Sequence, residues 1–457
     1  MTSTHVLHVL CESDTARVLR GLSGQLVGSA VALALAACSG GAVTDGTAPV
    51  APPRDTTTTP VVQRGTLTVQ VTIDPLDLGT ASAVGVTAAS LPVRLVRNLS
   101  ADAPRTAITG SDGITRFDSL LEGSYQISVD RSLTSAEQSR LAAADRGISV
   151  MAAGTTFIYS PPSRQVSVSL VASRRGSLVI SEIFGYQGST IAYGWGTYLE
   201  VFNSSDSTIY PDGMLLAATW GGMNLADVDG PCETFNYAKR TDSTAIWVSL
   251  VWGFPGAGRD YPIRAGEAKV IAMDAMSHAA AAPNTGNLDL SRADFEQHGD
   301  EADIDNPFVP DMIRIRGGPG FFGRGYTFAF GQAYALLLPS ATRQLEPGTL
   351  DVLDGGAFTV CRVRRDQVVD VAGFMGSVAS FVATGFYRGG GRDCRSPFMS
   401  PVFERDPSQI AEYSIPKAIA RKSLGRTPSG VELLQRTRTS SRDFEYAELL
   451  RRSLQKP

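Results

Sequence analysis

The amino-acid sequence predicts an all-β protein with two β-sandwiches in tandem and small helical inserts. Apolar and polar residues alternate with a period of two, which is the pattern of strands that bury one face. The alternation is clearest at Leu178–Phe184 and Tyr198–Asn203, which a glycine-rich loop connects. The 46 glycines and 25 prolines among 457 residues indicate many turns, as all-β domains require. A chain of this length predicts two or three domains.

The N-terminal region has the pattern of a secretory signal peptide. Arg17 and Arg20 precede the apolar run Leu26–Ala37, which is too short for a transmembrane helix. The run ends in Leu35-Ala-Ala-Cys38, which resembles the lipobox of bacterial lipoproteins. The resemblance implies that residues 1–37 are removed and that Cys38 is acylated. Its acyl chains would anchor the protein in the outer membrane, because no aspartate follows the cysteine.

The first predicted sandwich covers residues 65–171 and follows a flexible tether. Residues 38–63 are rich in alanine, threonine and proline and bury too little apolar surface to fold. Beyond them, strand patterns alternate with turns, and Asp112-Gly113 has the chemistry of a tight hairpin turn. We expect a helical insert at Ser135–Arg146, with Ser135 as its N-cap.

The spacing of Phe117, Leu120 and Tyr125 after this turn resembles the carboxypeptidase-regulatory and Cna-B-type sandwich, which is transthyretin-like. The resemblance implies that the three side chains belong to the core and that the domain is a spacer or interaction module. The lysine–asparagine cross-link of some Cna-B relatives is excluded, because no lysine lies between Gly65 and Val171.

The second predicted sandwich covers residues 176–383 and carries long insertions. Besides the two strands named above, apolar patterns predict strands at 215–220, 246–252, 334–338, 358–363 and 368–374, and a strand followed by a short helix within 266–278. Because each sandwich has its own strand pattern and the connection at Arg174–Gly176 is short, we expect the two to unfold as separate cooperative units.

The order of these strands resembles the lamin-tail domain, an immunoglobulin-like β-sandwich. A strand with Glu182, the string Tyr-Leu-Glu-Val-Phe-Asn and a serine-rich turn carry the resemblance, together with Asp370 in the last element. Glu182 and Glu200 have the residue type of a general acid–base pair. The resemblance implies instead that they accept hydrogen bonds from groups near the Ser204–Ser207 turn and fix the strand register.

The two domains together resemble a family of Gram-negative surface lipoproteins of unknown function. The resemblance rests on the blocks Ala275–His278, Asp289–Glu296 and Asp305–Pro307 and extends over most of residues 65–445. The family has no assigned activity, so it implies an architecture and leaves the chemistry open.

One region combines many side chains that are able to bind a metal ion. Its imidazoles and carboxylates are His278, Asp289, Asp294, Glu296, His298, Asp300 and Asp303. A transition-metal site needs such groups to converge, and calcium would need several acidic oxygens. Because no compact spacing such as His-Glu-x-x-His is present, we expect a solvated acidic loop, no metal and no cofactor. A metal-dependent hydrolase that uses the His278–Asp303 region is the alternative.

Cysteines and aromatic residues give two further expectations. After the signal region and Cys38, the cysteines are Cys232, Cys361 and Cys394, and in an exported protein this odd count predicts one disulfide and one thiol. Sequence leaves the pairing open, but the polar loops around Cys232 and Cys394 favour that pair. The adjacent, glycine-flanked Phe321 and Phe322 are the aromatic pair that we expect to be exposed as a ligand platform. The glycine pattern around them, Gly-x-Gly-x-x-Gly, precedes a predicted strand and not the helix of a dinucleotide site.

The charge distribution excludes a general affinity for nucleic acid, because the formal net charge is −4. Residues 384–457 form a C-terminal extension that we expect to be partly packed and to end in a basic tail. Between Lys417 and Lys456 there are ten lysines and arginines but four acidic residues. Such a segment is able to contact anionic lipid headgroups, although a solvated tail is the simpler expectation.

These observations predict an outer-membrane lipoprotein without catalytic activity that acts as a binding or accessory module. The expected partners are the membrane, through acylated Cys38, and an outer-membrane receptor or envelope protein. The alternatives are the metal-dependent hydrolase described above and a structural, adhesin-like surface module.

Overall fold

The structure is a computed structural model, and it describes residues 63–142, 145–184, 196–219, 242–278, 289–297, 305–316, 332–351, 357–376, 399–400, 402–406, 408–410 and 418–447. Within these residues nearly all regular structure is β-strand and the helices are short. The predicted all-β class is therefore confirmed. The chain from Val61 onward forms one compact unit.

The first sandwich contains seven strands. In chain order they are Arg64–Ile73 (β1), Pro92–Arg97 (β2), Arg105–Ile108 (β3), Ile114–Leu121 (β4), Gly123–Ser132 (β5), Val150–Tyr159 (β6) and Ser163–Ser173 (β7). They are hydrogen-bonded in the order β3-β2-β5-β6-β7-β1-β4, and β1 and β7 are the parallel pair. The sheet is thus complete within one continuous stretch of chain.

The core of this sandwich follows from the period of two. Alternate strand positions supply its apolar side chains, among them Leu67, Val69, Val93, Ile127 and Tyr159. Phe117, Leu120 and Tyr125 are also buried in it. Gly113 has a φ of 76°, the left-handed conformation that the predicted turn requires.

The helices of the first sandwich differ from the prediction. Helix α1, Leu78–Val84, follows the 3₁₀ turn Pro75–Asp77, and helix α2 is confined to Ser135–Gln138. The N-cap of α2 is Thr134 and not Ser135, because the Thr134 hydroxyl accepts from the Glu137 amide while the Glu137 carboxylate accepts from the Thr134 amide. Strand β6 was not predicted, since the run Met151-Ala-Ala-Gly154 has no period of two.

The second sandwich begins directly after β7. Its strands are Leu178–Phe184 (β8), Tyr198–Asn203 (β9), Leu215–Ala218 (β10), Ala245–Val248 (β11), Leu250–Gly253 (β12), Ala268–Ala272 (β13), Phe295–Glu296 (β14), Ile313–Arg316 (β15), Gln332–Leu337 (β16), Glu346–Asp351 (β17), Ala357–Arg364 (β18) and Val368–Gly376 (β19). Two 3₁₀ turns, Pro339–Gln344 and Arg365–Gln367, flank β17 and β18.

The remaining elements come from the C-terminal extension. They are Ser408–Ile410 (β20), Ala418–Arg421 (β21), Ser423–Arg426 (β22), Glu432–Leu434 (β23), Ser440–Asp443 (α3) and Phe444–Ala447 (β24). We call residues 418–447 the C-terminal segment.

Two six-stranded sheets face each other across the main core of the second sandwich. One has the order β15-β12-β10-β16-β19-β20 and the other β14-β13-β9-β8-β21-β24. Ile183 and Leu199 of the second sheet belong to the same apolar cluster as Trp252 and Phe374 of the first. Strands β21 and β24 of the C-terminal segment therefore form part of this sandwich and not a separate appendage.

Two predictions for the second sandwich are wrong in detail. The apolar stretch 246–252 is not one strand, because β12 pairs with β10 while β11 pairs with β18 in a separate sheet of order β11-β18-β17. That sheet covers the outer side of β10 and β16 through Ile246, Val248 and Val363. After β13 the chain bends and forms no short helix before His278.

The C-terminal segment connects the two sandwiches. Strand β21 lies antiparallel between β8 and β24, while the β22–β23 hairpin packs on the first sandwich, where Leu424 and Leu433 join Val150 and Ala152 in a small apolar cluster. The backbones approach closely here, since a Cβ at Gly154 would lie 2.4 Å from the Leu424 carbonyl carbon. The hairpin thus fits the first sandwich because glycine removes the side chain at the contact.

Candidate functional site

A buried ion-pair network lies where the C-terminal segment meets β19. Asp370 of β19 contacts Arg421 at 3.0 Å and Arg436 at 3.1 Å, and Arg421 also reaches Asp443 at 3.3 Å. The four side chains are at most 7% exposed. Asp370 also accepts from the Ile180 amide at 2.9 Å. The network therefore connects β8, β19 and the C-terminal segment.

Burial opposes the charges of this network, and the ion pairs offset that cost. Burial raises the pKa of Asp443, while the neighbouring Arg421 guanidinium and hydrogen bonds from Thr437 act in the opposite direction. Burial likewise lowers the pKa of Arg436, against the effect of Asp370. Arg436 further donates to Ser177 and to the Val369 carbonyl, so its guanidinium is held by several partners.

A cavity of about 180 Å³ opens beside this network. Its wall combines the first sandwich, the connection after β7, β19 and the C-terminal segment, and it is rich in guanidinium groups: Arg146, Arg174, Arg365, Arg421, Arg436 and Arg438. Asp370 and Asp443 are the acidic side chains among the described lining residues. We call this cavity the arginine pocket.

The positive charge of the arginine pocket is not balanced by the described residues. Arg421 and Arg436 use the two aspartates, whereas within the described chain Arg146, Arg174 and Arg365 pair with no carboxylate, and neither does Arg438. Arg174 donates to the Arg146 carbonyl at 3.1 Å, but its buried Nε has no hydrogen-bond partner among the described residues. The pocket therefore has an excess of cationic groups.

The pKa values of two lining arginines reflect this excess. Burial lowers the pKa of Arg174 to about 9, and the nearby guanidinium groups of Arg438 and Arg436 add to the effect. Burial lowers the pKa of Arg438 to about 10, with Arg405 and Arg365 as the main charged neighbours. Arg438 also has a φ of 64°, a conformation that costs an L-residue about 1–2 kcal/mol. An anionic group in the pocket would relieve the mutual repulsion.

The two glutamates of β8 and β9 form hydrogen bonds between these strands. Glu182 and Glu200 are opposite each other in the β8–β9 pair, and both are fully buried. Glu182 accepts from the Tyr198 hydroxyl, and Glu200 accepts from Ser181 Oγ at 2.8 Å. These partners lie on β8 and β9 and not in the Ser204–Ser207 turn, so that part of the prediction is corrected. Asn203 holds the turn instead, by donating to the Ser207 carbonyl at 2.7 Å.

The predicted metal-binding region is held by hydrogen bonds to backbone groups. Glu296 accepts from the Ala275 amide at 2.8 Å and from the Asn306 amide at 3.3 Å. Asp294 accepts from the Val270 amide at 2.9 Å and pairs with Lys269 at 2.8 Å. These carboxylates thus connect the three sequence blocks to one another and to β13.

The other predicted ligands are placed as follows. Asp289 accepts from Ser291, whose hydrogen bonds lower the Asp289 pKa, and His278 is buried with Nε2 3.2 Å from the Asp274 carbonyl oxygen. His298, Asp300 and Asp303 lie outside the described residues. Glu296 has carboxylate oxygens within 4.8 Å of those of Asp305 and Asp311, but the latter two are exposed acidic groups of a loop. The presence or absence of a metal ion in this region therefore stays a prediction.

Several predicted sites lie outside the described residues: Cys38, Cys232, Cys394, Phe321, Phe322 and the Gly318–Gly323 pattern. Lipidation, the disulfide and the aromatic platform therefore stay predictions. Cys361 is described, and it is buried in β18 as expected. Among the described residues, no helix has the length and apolar character needed to cross a membrane.

Sequence reasoning missed the arginine pocket because it assigned Arg421, Arg436 and Arg438 to a solvated tail and Arg174 to the connection between the sandwiches. Arg421 and Arg436 are in fact buried, and the described part of the tail, residues 418–447, is packed. A signal was present: Arg421 ends the apolar strand Ala418-Ile-Ala, and Asp370 interrupts the apolar run of β19. A charged residue within an apolar strand indicates a buried partner of opposite charge.

Comparisons with known proteins add likenesses of fold only. No family model matches the chain, and no curated protein matches it. Three solved structures match. A DUF4876 family protein from Bacteroides thetaiotaomicron is 16% identical, with a TM-score of 0.49, over 86% of this chain and 98% of that chain. A DUF3823 family protein from Parabacteroides merdae is 10% identical, with a TM-score of 0.16, over 35% of this chain and 67% of that one.

Proposed function

We propose that this protein is a non-catalytic binding module, anchored in the outer membrane through acylated Cys38, that receives a group of its partner in the arginine pocket. The observation that carries the proposal is the set of four arginines around a preformed cavity that have no acidic partner in the described part of the chain. Such a cluster destabilises the folded state unless a bound group offsets the repulsion between the guanidinium groups. Proteins retain such unfavourable charge clusters mainly at functional sites.

The composition of the pocket favours binding over catalysis. Among its described lining residues, the acidic groups Asp370 and Asp443 are both engaged with arginines, and the other polar side chains are guanidinium groups. Arginine is charged at all physiological pH values and does not serve as a general base. The pocket is therefore suited to hold a ligand and not to transfer a proton.

The position of the pocket supports a role in docking. Its wall joins Arg146 of the first sandwich to Arg438 of the C-terminal segment, whose Nη2 is 3.4 Å from the Arg146 carbonyl oxygen. Arg405 forms an ion pair with Asp145 at 2.8 Å beside it. The two sandwiches are thereby fixed to each other at the point where a ligand would bind, so the protein loses little conformational freedom on binding.

The proposal is tested by capture experiments with the tagged, lipidated chain and detergent-solubilised envelopes. The variant Arg365→Ala removes an exposed lining guanidinium, while Arg364→Ala removes the adjacent exposed arginine, which pairs with Asp366 at 2.7 Å outside the pocket. We expect a stoichiometric partner to be retained by the wild type and by Arg364→Ala and lost from Arg365→Ala. The same captured set on all three chains would contradict the proposed role.

The anchor is tested separately by Cys38→Ala. We expect this variant to leave the membrane fraction and to keep the fold of the domains, because the acylated thiol would be the attachment point. A variant that stays in the membrane fraction after a high-salt wash would refute lipid anchoring at this residue.

A further inference from the structure

We infer that the arginine pocket is a phosphate-binding site, which takes one phosphate group of a larger ligand. The inference rests on the proposed binding role and adds the chemical class of the group that is bound. It depends on three features of the pocket: its size, the origin of its guanidinium groups in separate parts of the chain and the lack of compensating acids among the described residues.

The size of the cavity limits what enters it. A volume of about 180 Å³ is smaller than the roughly 300–1,000 Å³ of sites that enclose a whole drug-sized ligand. It is close to the roughly 150 Å³ that holds one benzene molecule. The pocket thus accommodates a single charged group, while the rest of the ligand stays outside.

The arrangement of donors suits a tetrahedral oxyanion. Arg174, Arg365 and Arg438 belong to three different parts of the chain, namely the connection after β7, the 3₁₀ turn before β19 and the loop before α3. A phosphate monoester carries three strong acceptor oxygens and a charge of about −1.5 to −2 at pH 7. A carboxylate presents two oxygens in one plane, so it satisfies donors from fewer directions.

The electrostatics of the pocket also favour a phosphate group. The Nε of Arg174 is buried and has no partner among the described residues, although guanidinium donors are rarely left without one. The lowered pKa values of Arg174 and Arg438 show that burial and neighbouring cations disfavour their charge. A dianion offsets both effects at once, because it supplies an acceptor and cancels the repulsion.

The experiment is isothermal titration of the purified, folded chain with inorganic phosphate at low ionic strength. We expect saturable binding to the wild type and to Arg364→Ala, about tenfold weaker binding to Arg365→Ala, and weaker binding as salt is added. Arg438→Lys keeps the charge but loses the fork of donors, and we expect it to bind more weakly as well. Acetate is the matched ligand of lower charge and should bind at least about tenfold more weakly.

The source of the phosphate is separated by vesicles. The vesicle experiment uses the Cys38→Ala chain, which cannot be acylated at this residue. A headgroup ligand predicts that this chain binds vesicles containing phosphatidylglycerol, that the added substitution Arg365→Ala reduces this binding, and that phosphatidylcholine vesicles do not bind. A soluble phosphate ester predicts phosphate binding without vesicle binding. Either result supports a phosphate site.

Two results would overturn the inference: no saturable binding of phosphate to the folded wild-type chain, or the same affinity in Arg365→Ala and the wild type. Failure of the proposed function is a different result. A chain that binds phosphate in the pocket but captures no pocket-dependent envelope partner would retain the phosphate site and lose the docking role. A chain that captures such a partner but binds no phosphate would retain the docking role and lose the phosphate site.

Discussion

The two sandwiches of this protein reach a closed structure by different routes. The first completes its seven-stranded sheet within residues 64–173 and fills it with apolar side chains at alternate strand positions. The second needs β21 and β24 from the C-terminal segment to complete one of its sheets, and it buries Glu182, Glu200, Asp370 and Arg421. Local pattern therefore specifies most of the first sandwich, whereas the second depends more on pairs of charged residues far apart in the chain.

Removal of the C-terminal segment should have the largest effect, and it should affect the stability of the second sandwich far more than that of the first. A chain that ends at Lys417 lacks β21, which pairs with β8 through Ile183 and Glu182. We expect the second sandwich to lose its cooperative unfolding transition, because the removed strands leave the β8 edge and the core residues unpaired. A fragment of residues 63–173 should keep a transition of its own in thermal denaturation followed by circular dichroism.

This experiment also tests the expectation that the two sandwiches are separate units. A first sandwich that stays unfolded as an isolated fragment would contradict the difference drawn above. A truncated chain that retains two full transitions would show that the C-terminal segment contributes nothing essential to the second sandwich.

The substitution Asp370→Asn should have the next largest effect. It removes the ion-pair partner of Arg436 and leaves Arg421 with Asp443 alone, and removal of one partner from a buried ion pair typically costs about 3–5 kcal/mol. The matched change in the first sandwich is Asp102→Asn, since Asp102 is exposed and pairs with Arg97 at 3.5 Å. We expect that change to cost less than about 1 kcal/mol in urea denaturation. Equal costs would refute the contrast between the two regions.

The pH dependence of stability should also differ between the two regions. Burial raises the pKa of Glu404 to about 8, against hydrogen bonds from Ser440. Between pH 4.5 and 8 the folded state keeps a proton on Glu404 that the unfolded state releases. The contribution of Glu404 to the free energy of unfolding is therefore highest below pH 4.5 and falls as the pH rises to about 8. In the first sandwich, hydrogen bonds from Arg131 lower the pKa of Glu137 to about 2. That contribution is present above pH 4.5 and is lost as the pH falls towards 2.

The variant Glu404→Gln isolates the first of these effects. Glutamine resembles the protonated acid, so we expect the stability of the variant to depend less on pH between 5 and 8 than that of the wild type. The difference should be on the order of a few kcal/mol in the free energy of unfolding, and melting temperatures measured across this pH range detect it. An unchanged slope in the variant would show that Glu404 does not titrate in this range.

Neutralising the buried glutamates of β8 and β9 should lower the free energy of unfolding by less than the substitution of Asp370. Glu182→Gln and Glu200→Gln weaken the hydrogen bonds from Tyr198 and Ser181, and a buried group left unsatisfied costs about 1–3 kcal/mol. We expect lower stability and unchanged capture of the envelope partner by the folded fraction. Full thermal stability with lost binding would instead assign the two glutamates to a functional site.

The last prediction concerns the contact between the β22–β23 hairpin and the first sandwich. Gly425 has a φ of 96°, and a Cβ there would lie 2.4 Å from Ser128 Cβ, whereas Gly430 has a φ of 87° and nothing within 4 Å of the added atom. Both changes to alanine strain the backbone by about 1 kcal/mol, but Gly425→Ala should add about 1–3 kcal/mol for overpacking. Equal stabilities in differential scanning calorimetry would show that the hairpin does not press on β5.

The sequence by itself determined the strands, because the period of two follows directly from the alternation of side chains across a sheet. It placed β1, β8, β9 and β19 and the core role of Phe117 correctly, since those features depend on neighbouring residues. It also held the glycine that the Asp112-Gly113 turn needs.

Only the tertiary structure decided the arginine pocket and the closure of the second sandwich. Asp370 is 51 positions from Arg421 and 66 from Arg436, and the Ile180 carbonyl, which accepts from Arg421, is 241 positions away. No local pattern indicates which distant charge a buried arginine will meet, because strand pairing between remote segments is set by the packing of the whole core. The ten basic residues of the C-terminal region therefore predicted a tail, while the burial of Arg421 and Arg436 against β8 and β19 made these two part of a cavity wall.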